Sequence, residues 1–399
     1  MSGLLDYLYE YGHRTFDEEA FNELDAALLI ELAYLPIDRF FDSSMNFEES
    51  ISVKQLAKLY QPFSQYFEDR EKPMVNPLRS QLIKEMENYR RFSQLRLTGF
   101  SNQVDFKLVT QSAYLLVELS EEFILVIFRG TDDLLVGWKE DFMLTYQSAI
   151  PAQMLASQYL NTVVKTFPDH RFLLAGHSKG GHLAMYAASQ LDPKDLDRLD
   201  FIYNYDGPGF HHVHLNQSQM KEVYSITLRL VPEESIVGQM LFHLIDPVIV
   251  KSRSKGLLQH NIANWQIQGR QFARCDTLTI TSKILSQINH QWLHNNSPAK
   301  RKRIMTTIFD LIDFSKAKSI NHFIEEPSYY LKKVRQGFKG INPETQAELK
   351  DFANNYIKVF RHDLRRYQYL SLSQSLLDAR QYFEQLLSTV RQSLGNNKD

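Results

Sequence analysis

Residues 171–190, RFLLAGHSKGGHLAMYAASQ, set a short apolar run, a glycine-bounded turn and a helix-like segment directly end to end. A chain that passes from strand to helix in so few residues must do so through a tight βα turn. Gly176-His177-Ser178-Lys179-Gly180 fits G-x-S-x-G and is extended by Gly181. A residue at the tip of such a turn has strained backbone geometry, and the flanking glycines keep side chains clear of strand and helix. The turn lifts the Ser178 hydroxyl off the sheet. It also sets the Lys179 amide at a helix N-terminus, ready to donate to an oxyanion. The bare pattern recurs by chance, so its context carries the signal: FLLAG precedes it and GHLAMYAA follows. The plainer alternative is a close-packed βα turn with an inert serine.

The surrounding pattern predicts an α/β fold. FKLVTQ (106–111), AYLLVEL (113–119) and FILVIFRG (123–130) are short, apolar and rich in β-formers, as strands are. PAQMLASQYLNTVVKTF (151–167) reads as a helix, FLLAG as a strand and GHLAMYAASQL (181–191) as a helix. FIYNYDGPG (201–209), VYSITLRLVP (223–232) and PVIVKS (247–252) read as further strands. Such alternation implies parallel pairing with right-handed crossovers, in a core that ends near residue 275. Residues 1–95 read as mostly helical. NELDAALLIELAYLPI places Leu24, Ala27, Leu28, Leu32 and Leu35 at helical spacing behind Asn22 as a cap. ISVKQLAKLYQPF and NPLRSQLIKEMENYRRFSQL are also helix-like. Beyond residue 280 the strands stop, and segments at 281–293, 297–314, 342–367 and 372–394 read as amphipathic helices. Ser297-Pro298 and Asn342-Pro343 are the cap and first-turn pairs for two of them. The expected organisation is a helical N-terminal segment (1–95) packed on an α/β core (96–280). A helical C-terminal region (281–399) follows as a lid, a regulatory element or an interaction surface.

Composition narrows the function classes. A formal net charge of -2 gives no global electrostatic case for nucleic-acid binding. One cysteine, Cys275, excludes an internal disulfide and a cysteine-rich metal site, and fits a reducing compartment. The first residues, MSGLLDYLYEYGHRTFDEEAF, lack the basic start and unbroken apolar core of a signal peptide. No run approaches the roughly 18 apolar residues a membrane span needs. The expectation is a soluble, cytoplasmic protein. His211, His212 and His214 suggest a metal by type, but no carboxylate or cysteine spacing supports a site, so no metal or cofactor is expected.

A hydrolytic serine needs partners from other strand ends. Phe128-Arg129-Gly130-Thr131 closes the strand FILVIFRG, and its glycine lets the loop approach the active centre. Thr131 there offers a backbone N–H and a hydroxyl; its structural alternative is a capping threonine. The base should be a histidine late in the core, which selects His260 in SKGLLQHNIANWQI. His177 and His182 flank Ser178 too closely in sequence to swing onto its hydroxyl. The acid that orients the imidazole is Asp206 in FIYNYDGPGF, with Glu233, Glu234 and Asp246 as rivals. Chain order Ser178, Asp206, His260 matches the α/β-hydrolase order. The alternative for Asp206 is an Asx-turn residue at a Pro-Gly loop.

With these residues assembled, the chain resembles the class 3 (fungal-type) triacylglycerol lipases. FRGTDDLLVGWKEDF looks like their oxyanion segment and GHSKGGHLA like their nucleophile elbow. It is similar, more closely, to a bacterial lipase-like α/β-hydrolase family of unknown function. That family's GHSKGG, DGPGF, V-P-x-x-S-I-V-G and Q-H…W segments stand here at 176–181, 206–210, 231–238 and 259–265. The resemblance spans about residues 1–275. It implies Ser178 as nucleophile, His260 as base, and Thr131 with Lys179 as oxyanion donors. One departure stands out. The class 3 lipases carry their acid in a segment that matches VPEESIVG, and Ser235 occupies the aspartate position. Either the acid has moved to Asp206, or a neighbouring glutamate substitutes. Lys179 replaces the lipase leucine; its charge can face an anionic headgroup, pair with Asp132 or Asp133, or be solvated on the helix's first turn.

The chemistry these residues imply is two-step acyl transfer on a small-molecule or lipid ester, with no metal or cofactor. Two other readings stay open. One is a thioesterase or acyltransferase on the same site. The other is a non-catalytic hydrolase-like scaffold that binds a partner through its C-terminal helices. Lys300–Arg303 heads a helix whose stripe holds Ile304, Ile308, Leu311 and Ile312. A basic amphipathic helix of this kind is either a peripheral membrane contact or a solvated corner over a buried stripe. Oligomeric state is not legible.

Overall fold

In the computed structural model, which describes residues 3–63, 78–132, 134–319, 322–323 and 326–354, eight strands form one sheet in strict sequence order. β1 (Ser50–Ser52), β2 (Arg96–Asp105), β3 (Thr110–Glu118) and β4 (Phe123–Arg129) pair antiparallel. From β4 onward, β5 (Arg171–His177), β6 (Leu199–Tyr205), β7 (Thr227–Pro232) and β8 (Val248–Val250) pair in parallel. This is an α/β-hydrolase-like sheet, and the C-terminal ends of β4 to β8 open on one edge, where α/β folds place their sites.

Both faces are covered, and the period of two shows which residues serve which face. On β4, Leu125 and Ile127 join an apolar cluster built largely from the N-terminal helices, whereas Ile124, Val126 and Phe128 are buried outside it. Helix Glu23–Ala33 is buried along its whole length within that cluster. Its start is fixed by Asn22, whose side chain accepts from the Leu24 amide at 2.8 Å while Asp25 reaches back to the Asn22 amide at 2.9 Å. Asp25 also binds the buried guanidinium of Arg91 through both oxygens, at 2.7 and 2.5 Å, and accepts from Tyr7. Helix Lys179–Ser189, buried at every residue, packs against β4, β5 and β6.

The strands depart from expectation where polar residues or turns intervene. β1 and β2 carry no apolar alternation, and RLTGFSNQVD buries Thr98 and Ser101 inside the sheet, so the sheet begins before FKLVTQ, the first strand expected. FKLVTQ is mainly a turn. The Asp105 carboxylate accepts from the amides of Lys107 and Leu108, Val109 has φ +52°, and Phe106 and Leu108 are exposed. VYSITLRLVP is likewise divided between helix Ser218–Ser225 and β7. A small ribbon of β9 (Ile267–Gln268) and β10 (Gln271–Phe272), unread in the sequence, closes the region.

The described residues separate into two compact units, one within Met1–Asp132 and Ser148–Thr277, the other within Asp133–Gln147 and Leu278–Asp399. The second unit holds helices Leu135–Met143, Ile280–Asn295, Pro298–Phe314 and Pro327–Lys339, with residues 343–354 also helical. Ser297 caps the third of these by accepting from the Lys300 amide, and Asn342 accepts from the Thr345 amide. Phe142 packs on Phe309, and Trp292 on Phe352. Of the basic run, Arg301 is buried, Arg303 is bound through two nitrogens to Glu348, and Lys302 is exposed. The predicted helix at 372–394 and the end of that at 342–367 lie outside the described residues. Among the described residues, no helix is long and apolar enough to cross a membrane.

Candidate active site

Ser178 sits between β5 and helix Lys179–Ser189 with φ +58° and ψ -131°, a backbone state that non-glycine residues rarely adopt. Its amide donates to the Tyr205 carbonyl at 2.9 Å, which ties the turn to the end of β6. A Cβ at Gly180 would lie 2.0 Å from the Phe128 carbonyl oxygen, and one at Gly176 would meet the Gly180 carbonyl at 2.3 Å. The two glycines are therefore required by close approach. Gly130, just after β4, comes as close to the turn: a Cβ there would stand 2.4 Å from the His177 carbonyl oxygen and 3.2 Å from the Ser178 Cβ. The loop that carries Thr131 thus passes directly beside the serine.

Asp206 follows β6 with φ +49°, fully buried. Its Oδ2 lies 2.6 Å from Nδ1 of His260. Its Oδ1 accepts from the Ser235 hydroxyl at 2.5 Å and from the Gly238 amide at 3.1 Å. The carboxylate that meets the imidazole is therefore the one at the end of β6. The serine after β7 supports it from the position that holds an aspartate in the lipase pattern.

The two rival glutamates are engaged elsewhere, and the rival Asp246 is exposed. Glu234 accepts from the Gly256 amide and from Nε2 of Gln259, and so braces the short 3-10 turn Gly256–His260. Oε1 of Gln259 accepts from the Glu234 amide at 3.0 Å, and the Gln259 carbonyl accepts from the Trp265 indole at 2.7 Å. Glu233 reaches the Ser252 amide at 3.5 Å. Lys179 is not a solvated side chain: it is buried to 1% exposure at the start of its helix.

The family model that matches this sequence is Mbeg1-like, over residues 86–310. The chain belongs to the Mbeg1-like family. That match contains Ser178, Asp206 and His260 and leaves the N-terminal helix Glu23–Ala33 outside it. No curated protein matches the chain. Among solved structures, it is similar to a fungal lipase in complex with an inhibitor, at 19% identity over 38% of this chain and 66% of that one, with a TM-score of 0.27. Native Rhizomucor miehei lipase with its propeptide gives 17% identity, 43% and 59% coverage and a TM-score of 0.30. A mutant form of MDLA from Penicillium cyclopium gives 12% identity, 63% and 86% coverage and a TM-score of 0.37. The Mbeg1-like chain thus spans about two thirds or less of the length of the first two.

Histidines that the sequence offered as alternatives have structural work in the Mbeg1-like chain. His182 is buried, with Nδ1 donating to the Gly209 carbonyl at 2.9 Å, Nε2 at 2.8 Å from the Gln153 amide and its ring stacked on Phe210. Burial pushes its pKa down to about 3, so it stays neutral and pins the DGPGF turn behind Asp206. His214 bonds to the Ser148 carbonyl and His212 stacks on Phe242. Among the described residues no cluster of potential metal ligands forms. Sequence reasoning missed the support of Asp206 by Ser235 and Gly238, and that of the Gly238 carbonyl by the buried Arg229. The available signal was the S-I-V-G segment itself, whose serine and glycine are the two groups that reach the carboxylate.

Proposed function

We propose that this protein is a serine hydrolase that cleaves carboxylic esters through Ser178, His260 and Asp206. The observation that carries the reading is the 2.6 Å contact between His260 Nδ1 and the buried Asp206 carboxylate, on the strand-end edge that also bears the strained Ser178. An ionised carboxylate only accepts, so Nδ1 carries the proton and Nε2 keeps its lone pair. That lone pair takes the Ser178 proton as Oγ attacks the ester carbonyl. The tetrahedral oxyanion is held by the Lys179 amide, at the start of its helix, and by Thr131; removal of one such donor typically costs about 3 kcal/mol of transition-state stabilisation. The imidazolium then protonates the departing alkoxide, and water, deprotonated by His260, releases the acyl group.

Acyl lipids are the favoured substrates, because the oxyanion segment and elbow resemble those of the class 3 lipases. The single cysteine supports a reducing, cytoplasmic setting. The test is labelling of the full chain with a fluorophosphonate probe beside Ser178→Ala and Asp206→Asn. Wild type should label, Ser178→Ala should not, and Asp206→Asn should slow labelling by about 100-fold or more. A folded wild type that neither labels nor hydrolyses any member of a p-nitrophenyl ester chain-length series would sink the proposal.

A further inference from the structure

The residue before the nucleophile touches the base. Nε2 of His177 lies 2.7 Å from the backbone carbonyl of His260, and the two imidazoles stand 4.5 Å apart, tilted by 36°. A carbonyl oxygen only accepts, so His177 carries its proton on Nε2 and turns the lone pair of Nδ1 the other way. Facing Nδ1 at 3.4 Å is the hydroxyl of Tyr34, the residue that ends helix Glu23–Ala33. The Gly130 amide bonds to that same hydroxyl. A Cβ at Gly130 would come within 2.5 Å of the hydroxyl and 2.4 Å of the His177 carbonyl oxygen, so only glycine fits between them. The Tyr34 ring is itself held under the Arg79 guanidinium at 4.1 Å, and Arg79 is bound to Glu31 at 2.7 Å.

We propose that His177, its tautomer set by the His260 carbonyl and its Nδ1 faced by the Tyr34 hydroxyl, is a positioning residue that clamps the main chain of the base His260 to the nucleophile turn. The idea rests on the triad reading above and adds a member to it. His260 lies on a short turn whose neighbours Leu257 and Leu258 are exposed, and the Asp206 bond fixes only one ring nitrogen. A second tether, to the carbonyl of the same residue, restrains translation of the base, where a displacement of about 1 Å can cost on the order of 100-fold in rate. The clamp must also be uncharged. A cation beside His260 would oppose the imidazolium that forms during catalysis, and burial holds His177 well below the ordinary imidazole range. Burial likewise pushes the Tyr34 hydroxyl up, which keeps its proton available for Nδ1.

The test uses the full chain and a fluorophosphonate probe, with inactivation followed over a range of probe concentrations to separate kinact from KI. Melting temperatures are taken in parallel. His177→Asn is too short to reach the His260 carbonyl, whereas His177→Gln can place an N–H near the lost Nε2. The expected result is a kinact lowered by about 10- to 100-fold in His177→Asn with KI little changed, and recovery of most of the loss in His177→Gln. Tyr34→Phe should lower kinact several-fold. Equal losses in the Asn and Gln variants, or a change confined to KI, overturn the clamp while leaving the triad intact. If neither His177 variant folds, an unchanged kinact in Tyr34→Phe overturns it. An unlabelled wild type removes the triad reading and the clamp together, a result distinct from all of these.

Discussion

Asp206 has neither carboxylate oxygen idle, because Oδ2 meets His260 while Oδ1 takes two donors from the loop after β7. Ser235→Ala removes the shorter of those donors. A hydrogen bond to a charged group is worth about 1.5–3 kcal/mol, so fluorophosphonate labelling should slow by roughly 10-fold or more, with a lowered melting temperature. Labelling at the wild-type rate would mean that Gly238 alone suffices. Ser178 offers a second test, because its φ of +58° stores strain that an alanine inherits and a glycine does not. Ser178→Gly should therefore be more stable than Ser178→Ala by about 1 kcal/mol in denaturant unfolding, although neither labels. The turn that carries Ser178 was legible in the sequence because strand, turn and helix are contiguous, and chain order singled out His260 among the histidines. Asp206 was read as the acid ahead of Glu233, Glu234 and Asp246, but which strand end faces a ring 54 residues away in the chain is set by the fold. His177 was read only as too near the serine to act on it, and its bond to the base is a matter of fold alone.

The elements that hold these residues make a prediction through pH. His182 pins the DGPGF turn in a neutral form, with its pKa pushed down from 6.5 to about 3. Between those values the unfolded chain binds a proton that the folded chain does not. The stability this histidine permits is thus complete above pH 6.5 and is lost as the pH falls towards 3. Each such proton gives a slope of about 1.4 kcal/mol per pH unit. His177 is shifted in the same direction and adds to the effect. Urea unfolding between pH 6.5 and 4.5 should be less steeply pH-dependent in His182→Gln than in wild type; parallel curves would show that His182 does not carry the linkage. The legibility of elements followed burial. β4 to β6 read directly as apolar runs, since strands covered on both faces carry little polar punctuation. β2 did not, because Gly99, Ser101 and Asn102 interrupt a strand whose polar groups are satisfied by long-range partners.

At the scale of the first compact unit, the described N-terminal helices, expected from the sequence to pack on the core, contribute much of its apolar cluster. Their anchor is the buried Asp25–Arg91 pair, which also gathers the carbonyls of Arg14, Thr15, Glu19 and Ala20. Removing one partner strands the other charge, so Arg91→Leu should destabilise the protein by about 3–5 kcal/mol in equilibrium unfolding, and a loss below 1 kcal/mol would contradict that role. The sheet's parallel edge carries a further consequence. β6 and β7 end side by side, so an acid on either can serve one imidazole while the neighbouring loop supplies a small donor to its second oxygen. Ser235 stands where the lipase pattern has its aspartate, and the carboxylate that meets the imidazole comes from the neighbouring strand end. A reading of that single position for the acid would find only a serine in this chain, although an aspartate at the adjacent strand end meets the imidazole.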